Sequence, residues 1–362
     1  MQILERYILK FILNIFFGCL IIFIFLYIII DIFSHLDQIL RQQVSFIILK
    51  QYYFSYLPTI FVQVSPIAAL LATLYTLGRL NKDNEIIAMR ASGLSIFQIT
   101  KAIMIFGLLL SLIVYLVGEK LLPESRQFLE KIKLEMEGQK KKEERVLSQL
   151  SIYGLKNRLF YINRFYPHAD VIEGIVILEH DKMQNLTKKI IAEKGIYQNG
   201  LWKFYKSITY EFDKNGRIKG QPEYHEEEIM DIMETPQEFL EQKQEPEFMN
   251  IAQLDNYIWK LSQSGATTMV RSLKVDLYRK FTEPFMNLII IIMGIPFSLR
   301  TKRKATGLSS IGISFLLGFF YYGLNAISIA LGKTGILPSF LSACLSHLIV
   351  FFISLYLLYR MP

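Results

Sequence analysis

The sequence predicts an integral membrane α-helical protein with six transmembrane helices and an inserted extracytoplasmic all-β domain, jelly-roll-like in type. Three observations predict it. The 362-residue chain is 52% hydrophobic and only 20% charged, below the roughly 25% charge of soluble proteins. The excess sits in six uncharged stretches, each near the ~20 residues that cross a ~30 Å hydrocarbon core at 1.5 Å rise per residue. Between the third and fourth stretches lies a long charged segment that contains period-two patterns.

The apolar stretches run Phe11 to Ile30, Leu57 to Leu77, Ala102 to Gly118, Pro284 to Leu299, Ala305 to Gly332 and Thr334 to Tyr359. The first is about twice a signal-peptide core of ~7–15 residues and lacks a small-x-small cleavage site, so it reads as a retained span. Cys19 and Cys344 both lie inside apolar stretches, which leaves no disulfide framework and no thiolate metal cluster.

Short cytoplasmic loops carry the basic excess in membrane proteins. An inside N-terminus places eleven basic residues in the cytoplasm (Arg6, Lys10, Arg79, Lys82, Arg90, Lys101, Arg300, Lys302, Arg303, Lys304 and Arg360) against Arg41, Lys50 and Lys333 in the short external loops. Both termini are therefore expected in the cytoplasm and the long insert outside. Residues 119–280 hold 26 basic and 26 acidic residues, so the net charge of +8 belongs to the membrane part. It reflects topology and gives no reason to expect a nucleic-acid partner.

Residues 1–118 thus form the first three spans, 119–280 the external segment and 281–362 the last three spans. Phe128, Leu129, Ile132 and Met136 recur at helical spacing, extending the third helix outward over 119–138. A β-domain follows over about 150–235. Its clearest strand is Trp202 to Phe212, where Trp202, Phe204, Ile208, Tyr210 and Phe212 share one parity and Lys206 interrupts it. Asn199-Gly200 and Asn215-Gly216 flank that strand as hairpin turns. Further strands are expected at Arg158 to Arg164, Gly174 to His180 and Lys189 to Lys194. Ten acidic residues between Glu223 and Glu247 read as a solvated linker or sheet rim. Amphipathic helices then occupy 250–280, the first marked by Ile251, Leu254, Ile258 and Leu261, the second feeding the fourth span.

Catalytic motifs do not emerge. Gly332-Lys333-Thr334 resembles the end of a phosphate loop, but Ile327 stands where its first glycine belongs, and the segment reads as a turn. His35, His168, His180, His225 and His347 are scattered without metal-ligand spacing. His347, at membrane depth, and Glu283, before Pro284, are the ionisable groups around which an intramembrane enzyme would have to be built. Packing and helix-start chemistry explain them more simply.

The cytoplasmic segment after the second span reads as a short helix near 81–93. Asn81 or Asp83 caps it, Ile86, Ile87 and Met89 give it an apolar side, and Gly93 ends it. Such a surface helix suits docking on a cytoplasmic partner, and no cytoplasmic loop is long enough to hold an ATPase. Outside, Arg271, Lys274, Arg279 and Lys280 crowd the approach to the fourth span. They suit the phosphates of an anionic lipid, and equally snorkelling to ordinary headgroups. The apolar strand faces likewise fit an acyl-chain groove or the sheet's own core.

Several segments together resemble the LptF/LptG permeases of the lipopolysaccharide exporter. They are Ser65-Pro-Ile-Ala-Ala-Leu-Leu-Ala-Thr-Leu, Leu77-Gly-Arg-Leu with Asn84-Glu85 and Arg90-Ala-Ser-Gly-Leu-Ser, and Tyr278-Arg-Lys-Phe-Thr-Glu-Pro leading into Ile295-Pro-Phe-Ser-Leu. Gly312-Ile-Ser-Phe and Ile353-Ser-Leu-Tyr-Leu-Leu look more like the LptG branch. The resemblance implies an inner-membrane half-transporter with no ATPase domain and no cofactor of its own. Its implied partners are a paralogous permease, an LptB-like ATPase dimer that uses ATP and Mg, an LptC-like single-span periplasmic protein and an LptA-like bridge. Lipopolysaccharide would leave the outer leaflet of the inner membrane for that bridge. Glu85, Arg90, Ile86 and Met89 would couple to the ATPase. Arg41 and Lys133 match positions where the family contacts lipid phosphate, with Arg271 and Lys274 added by the charge pattern. Ser34 and Glu130 depart from the basic residues expected beside them. The rival reading is a membrane scaffold whose external domain recruits envelope partners without moving substrate.

Overall fold

The computed structural model describes residues 3–41, 44–125, 128–129, 132, 146–154, 157–181, 185–213, 216–230, 232, 234–236, 239, 248–262, 267–300 and 307–360. Their elements run α1 (Ile3–Ser34), α2 (Leu36–Arg41), α3 (Phe46–Lys82), α4 (Glu85–Ala91) and α5 (Ile96–Leu116), then a π-helical turn at Val117–Leu121. Six strands follow: β1 (Leu147–Gly154), β2 (Arg158–Tyr166), β3 (Val171–His180), β4 (Leu186–Gln198), β5 (Leu201–Glu211) and β6 (Glu223–Met230). The chain ends with α6 (Ile251–Ser262), α7 (Thr267–Thr282), α8 (Met286–Arg300), α9 (Gly307–Thr334) and α10 (Ser339–Tyr359). Two compact units result, one from residues 1–137 and 274–362, the other from 138–273.

Six helical segments are long and apolar enough to cross a membrane: Ile3–Ser34, Phe46–Lys82, Ile96–Ser125, Thr267–Leu299, Gly312–Thr334 and Ser339–Tyr359. The first four extend beyond the apolar stretches that predicted them, whereas Gly312–Thr334 and Ser339–Tyr359 are shorter than Ala305 to Gly332 and Thr334 to Tyr359. The segment Gly332-Lys333-Thr334, expected as a turn, is instead the last turn of α9, and the chain reverses at Gly335 with φ 88°. Gly332 is there because α10 comes close. A Cβ at that position would stand 2.4 Å from Ser342 Cβ and 3.1 Å from Val275 Cγ2.

One core cluster joins α1, α3, α4 and α5 to α8 through Ile12, Phe16, Ile60, Ala69, Ile103, Phe106, Ile291 and Ile295. A second joins α3 to α8, α9 and α10 through Leu70, Leu74, Ile290, Met293, Leu317, Tyr321 and Val350. Helix α3 belongs to both. Pro66 inside it has no N–H for the Val62 carbonyl, and Ser65 Oγ donates to that oxygen at 3.4 Å.

The other unit carries one antiparallel sheet in sequential order, β1 to β6. The antiparallel β-domain expected from sequence is present. Among the described strands its order is that of a meander, without the crossed neighbours of a jelly roll. Asn199 (φ 53°) and Gly200 (φ 83°) make the tight turn from β4 to β5, as their residue types predict. Of the second expected turn, Asn215 lies outside the described residues, and Gly216 has φ 74°.

The sheet is creased. Buried positions skip a beat in β2 (Phe160, Ile162, then Phe165), β3 (Ile172, then Ile175, Ile177) and β4 (Ile190, Ala192, then Gly195). On β5, Trp202 and Phe204 are buried and then Ser207 and Thr209. The breaks align: Arg164, Glu173, Lys194 and Tyr205 are cross-strand neighbours on one side of the line, and Ile162, Ile175, Ala192 and Ser207 on the other. Gly174 (φ 67°) and Lys206 (φ 54°) sit on the line. This corrects the expectation that Ile208 and Tyr210 share a face with Trp202. A left-handed residue at Lys206 resets the pleat, so the buried face of β5 continues from Trp202 and Phe204 to Ser207 and Thr209. Phe239 caps that face, stacked 5.6 Å from Trp202 and near Phe160 and Phe165, while Trp202 Nε1 donates to the Glu234 carbonyl at 2.7 Å.

A left-handed conformation costs a side chain about 1–2 kcal/mol, most for β-branched residues and nothing for glycine. Lys206→Ile is therefore expected to destabilise the sheet by about that amount, whereas Lys206→Gly should not. Thermal melts of the two variants of the full chain would show the order.

Candidate functional site

One end of the first unit is built around α4. Helix α3 closes at Asp83, whose N–H bonds the Arg79 carbonyl, and Asn84 takes a left-handed φ of 59° to start α4 without a side-chain cap. The caps expected from Asn81 or Asp83 are thus absent: Asn81 Nδ2 points to the Leu299 carbonyl, and Asp83 lies 3.6 Å from Arg79. Gly93, at φ 92°, ends α4 as expected. Leu94 N–H bonds the Met89 carbonyl and Gly93 N–H the Arg90 carbonyl, a Schellman closure. Ser95 then opens α5 with a reciprocal capping box to Gln98. The C-terminal end of this short helix and the start of the next are consequently held in place.

Its faces are distinct. Ile86 and Met89 are buried in the cluster with α1, α3 and α5 and anchor the helix. Ile87 and Arg90 are exposed. Glu85 is half-buried and accepts a hydrogen bond from Tyr7 Oη at 3.2 Å, and Lys101 lies 3.8 Å from Glu5. The four residues expected to act together at the ATPase therefore divide into two anchors facing the bundle and two polar side chains at its edge.

At the opposite end of the first spans, Arg41 is exposed and its Nε donates to Asp37 Oδ1 at 2.9 Å, one turn earlier on α2. Lys133 lies outside the described residues, as do Glu130 and the helical extension through 133–138; Leu129 and Ile132 are buried. Sequence reading passed over a neighbouring cluster: Tyr53 Oη donates to Asp31 Oδ2 at 2.9 Å, Asp31 lies 3.5 Å from His35, and the Tyr27 and Tyr56 hydroxyls are 3.3 Å apart. Asp31 and Tyr53 could have been suspected, since each is a polar residue at the edge of an apolar run.

On the approach to the fourth span, Arg271 and Lys274 are exposed on α7. Their neighbour Arg279 is engaged: it bonds Asp276 at 3.1 Å and Glu283 one turn later. Lys333, on α9, reaches Asp276 at 3.0 Å. The basic crowd is thus partly neutralised within the bundle, and Arg271 and Lys274 are exposed on the same helix.

Among the described residues no group of three or more His, Cys, Asp or Glu is placed to hold a metal. His347 is buried, with Nδ1 3.2 Å from Ser346 Oγ, whose hydroxyl donates to Asn325 Oδ1 at 2.8 Å. Glu283 forms the start of a single 3₁₀ turn before α8 and accepts from Arg279. The apolar strand faces are filled by the sheet's own aromatic core. Of the acidic run, Glu223–Met230 forms the edge strand β6, where Lys203 pairs with Glu227 at 2.6 Å and Ser207 Oγ donates to Glu228 at 2.9 Å. Charge on an edge strand resists pairing with further chains.

Residues 6–360 match the family described as lipopolysaccharide export system permease LptF/LptG. The chain is 25% identical over 306 residues to the lipopolysaccharide export system permease protein LptG of Haemophilus influenzae, covering 82% of this chain and 81% of that protein. It is 24% identical over 301 residues to LptG of Escherichia coli K12, with coverage of 82% and 81%.

The anchoring geometry of α4 makes a testable distinction. Ile86→Ala and Met89→Ala each remove buried side-chain volume and are expected to cost about 2–4 kcal/mol, while Ile87→Ala, on the exposed side, should stay within about 0.5 kcal/mol. Melting temperatures of the detergent-solubilised chain would separate them.

Proposed function

The chain belongs to the LptF/LptG family of lipopolysaccharide export permeases, and from that premise we propose that it extracts lipopolysaccharide from the outer leaflet of the inner membrane. A separate ATPase drives it, and the lipid passes to a periplasmic bridge toward the outer membrane. The observation that carries this reading is the match over nearly the whole chain, which includes both helical halves and the inserted sheet. The six apolar helices make the chain a multi-pass inner-membrane protein.

In this reading the termini and α4 face the cytoplasm, in keeping with the eleven basic residues that side would hold. The sheet unit lies in the periplasm. The partners are a paralogous permease, an LptB-like ATPase dimer using ATP and Mg, an LptC-like protein and an LptA-like bridge. Helix α4 is the coupling helix: Ile86 and Met89 seat it in the bundle, and Glu85 and Arg90 meet the ATPase. The division of faces supports this, because a helix fixed by one side can pass a push on the other to α1, α3 and α5 together. At the outer side Arg271 and Lys274 pair with lipid phosphates, with Arg41 and Lys133 contributing from the first half. Arg271 and Lys274 are both exposed on α7, which supports their contact with lipid headgroups.

Arg90→Glu and Glu85→Arg are expected to reduce co-purification of the ATPase at least tenfold while leaving the amount of inserted chain unchanged. Pull-down on a C-terminal tag, with the second permease as internal standard, reads both quantities. Full ATPase recovery and full transport in both variants would remove α4 from the coupling role. Normal lipopolysaccharide export in cells depleted of the chain would instead favour the scaffold.

A further inference from the structure

The first turns of α1 meet a side chain from each of the three helices beside them. Glu5 lies 3.8 Å from Lys101 on α5, Tyr7 Oη donates to Glu85 Oε1 on α4 at 3.2 Å, and the Arg79 guanidinium of α3 stands 4.9 Å over the Phe11 ring. Between these contacts Ile8 and Ile12 are buried in the same apolar cluster as Ile86 and Met89. Tyr7 and Phe11, four residues apart, share one edge of α1. Their partners come from one place in the chain: Arg79 lies 3.6 Å from Asp83, where α3 closes, and Glu85 opens α4 directly after it. Helix α1 is thus packed on α4 by aliphatic side chains and joined to it by a side-chain hydrogen bond across 78 residues of sequence.

That bond fixes a flexible group. A glutamate side chain loses rotamer freedom whenever its carboxylate is held by a partner, and a carboxylate already oriented by its own chain has less to lose on docking. Ionised carboxylates accept on both oxygens, so a bond from Tyr7 to Oε1 is compatible with a cationic donor at Oε2. Glu85 is half-buried and Tyr7 is 46% exposed, which places the pair at the surface of the bundle. A docking chain excludes water from such a pair. The carboxylate then has no solvent with which to replace the tyrosine, and the hydroxyl matters most in the docked state.

We propose that Tyr7 is a positioning residue of the coupling site: its hydroxyl holds the Glu85 carboxylate in the orientation that a cationic side chain of the ATPase meets, and it ties displacement of α4 directly to α1. This role rests on α4 being the coupling helix, as in the function proposed above. Helix α1 then receives movement of α4 through a polar bond as well as through Ile8 and Ile12. The hydroxyl also gives a reason for tyrosine at a position where phenylalanine would serve the ring packing alone.

A mutant cycle on ATPase recovery tests it, read by pull-down of the tagged full chain with the second permease as internal standard. Tyr7→Phe keeps the ring and deletes only the hydroxyl. It is expected to lower ATPase recovery about fivefold, the worth of one ordinary hydrogen bond, with the amount of inserted chain unchanged. Glu85→Ala is expected to lower recovery as well, and the double variant to fall no further than Glu85→Ala alone, since the hydroxyl acts only through that carboxylate. Glu5→Gln, which weakens the neighbouring contact with Lys101, is expected to stay within about twofold of the unmutated chain. Unmutated recovery in Tyr7→Phe beside a loss in Glu85→Ala would overturn the positioning role and leave the coupling helix standing. Losses that multiply in the double variant, or a loss in Glu5→Gln equal to that in Tyr7→Phe, would also overturn it, because Tyr7 would then act by seating α1. Full recovery and full transport in Glu85→Ala would remove the coupling role itself and this inference with it. Should Tyr7→Phe fail to insert, fluorotyrosine at position 7 of the otherwise unmutated chain keeps the hydroxyl and reports on it. A fluorine resonance that moves when the ATPase is stripped from the complex supports the role, and one that ignores the ATPase refutes it.

Discussion

Helices α3 and α8, more than two hundred residues apart, share a seam on which the membrane unit depends. Lipid tails are as apolar as leucine, so spans associate by close packing and buried hydrogen bonds instead of escape from water. Small residues make the approach possible: Ser65, Ala68, Ala69, Ala72, Thr73 and Thr76 are all buried on α3. Across from them a Cβ at Gly294 would stand 3.0 Å from Leu70 Cδ1 and 3.4 Å from Thr73 Cγ2. Ser298 Oγ donates to the Leu74 carbonyl at 3.0 Å, a buried bond between the two halves of the chain. The α1, α4 and α5 cluster leans on one side of this seam and the α9 and α10 cluster on the other. The sheet unit can therefore be inserted between the halves without dividing the bundle.

The two clusters differ in chemistry. On the first side α4 is held by a Schellman closure and two buried apolar anchors, and a capping box starts α5 directly after it, which makes a short segment between spans part of the bundle. On the second side the α7, α8, α9 and α10 contacts are interleaved with Asp276, Arg279, Glu283, Asn287, Asn325, Ser346 and His347. A permease that converts ATPase movement into lipid displacement benefits from such a contrast. In the function proposed above, the first half would transmit that movement, while the second contains polar bonds that can be exchanged.

Length and hydropathy made the six spans legible, and Gly93 and Asn199-Gly200 announced their turns by residue type. Other features resisted for physical reasons. In a helix of seven residues the spacing of Ile86, Ile87 and Met89 defines an apolar side but not whether it meets the bundle or a partner. Strand β6 is exposed along nearly its whole length, so alternation is lost. Lysine carries no signal for a left-handed conformation, and the parity of β5 was therefore misread beyond Lys206. Counting cations near α8 gave a basic patch. The i, i+3 and i, i+4 spacings of Asp276, Arg279 and Glu283, visible in the sequence, already implied that part of that charge is spent internally.

Family membership, a short helix seated in the core and exposed cations near the start of α8 support the proposed movement of lipopolysaccharide. The most direct measurement is transfer itself. The tagged chain, with the second permease and ATPase that co-purify, would be placed in vesicles containing lipopolysaccharide, and its arrival on a soluble periplasmic acceptor followed by crosslinking. The account predicts transfer that requires ATP and Mg and stops when the ATPase is inactivated. ATP hydrolysis by an intact, stoichiometric complex with no transfer of lipopolysaccharide above the ATP-free level would contradict it.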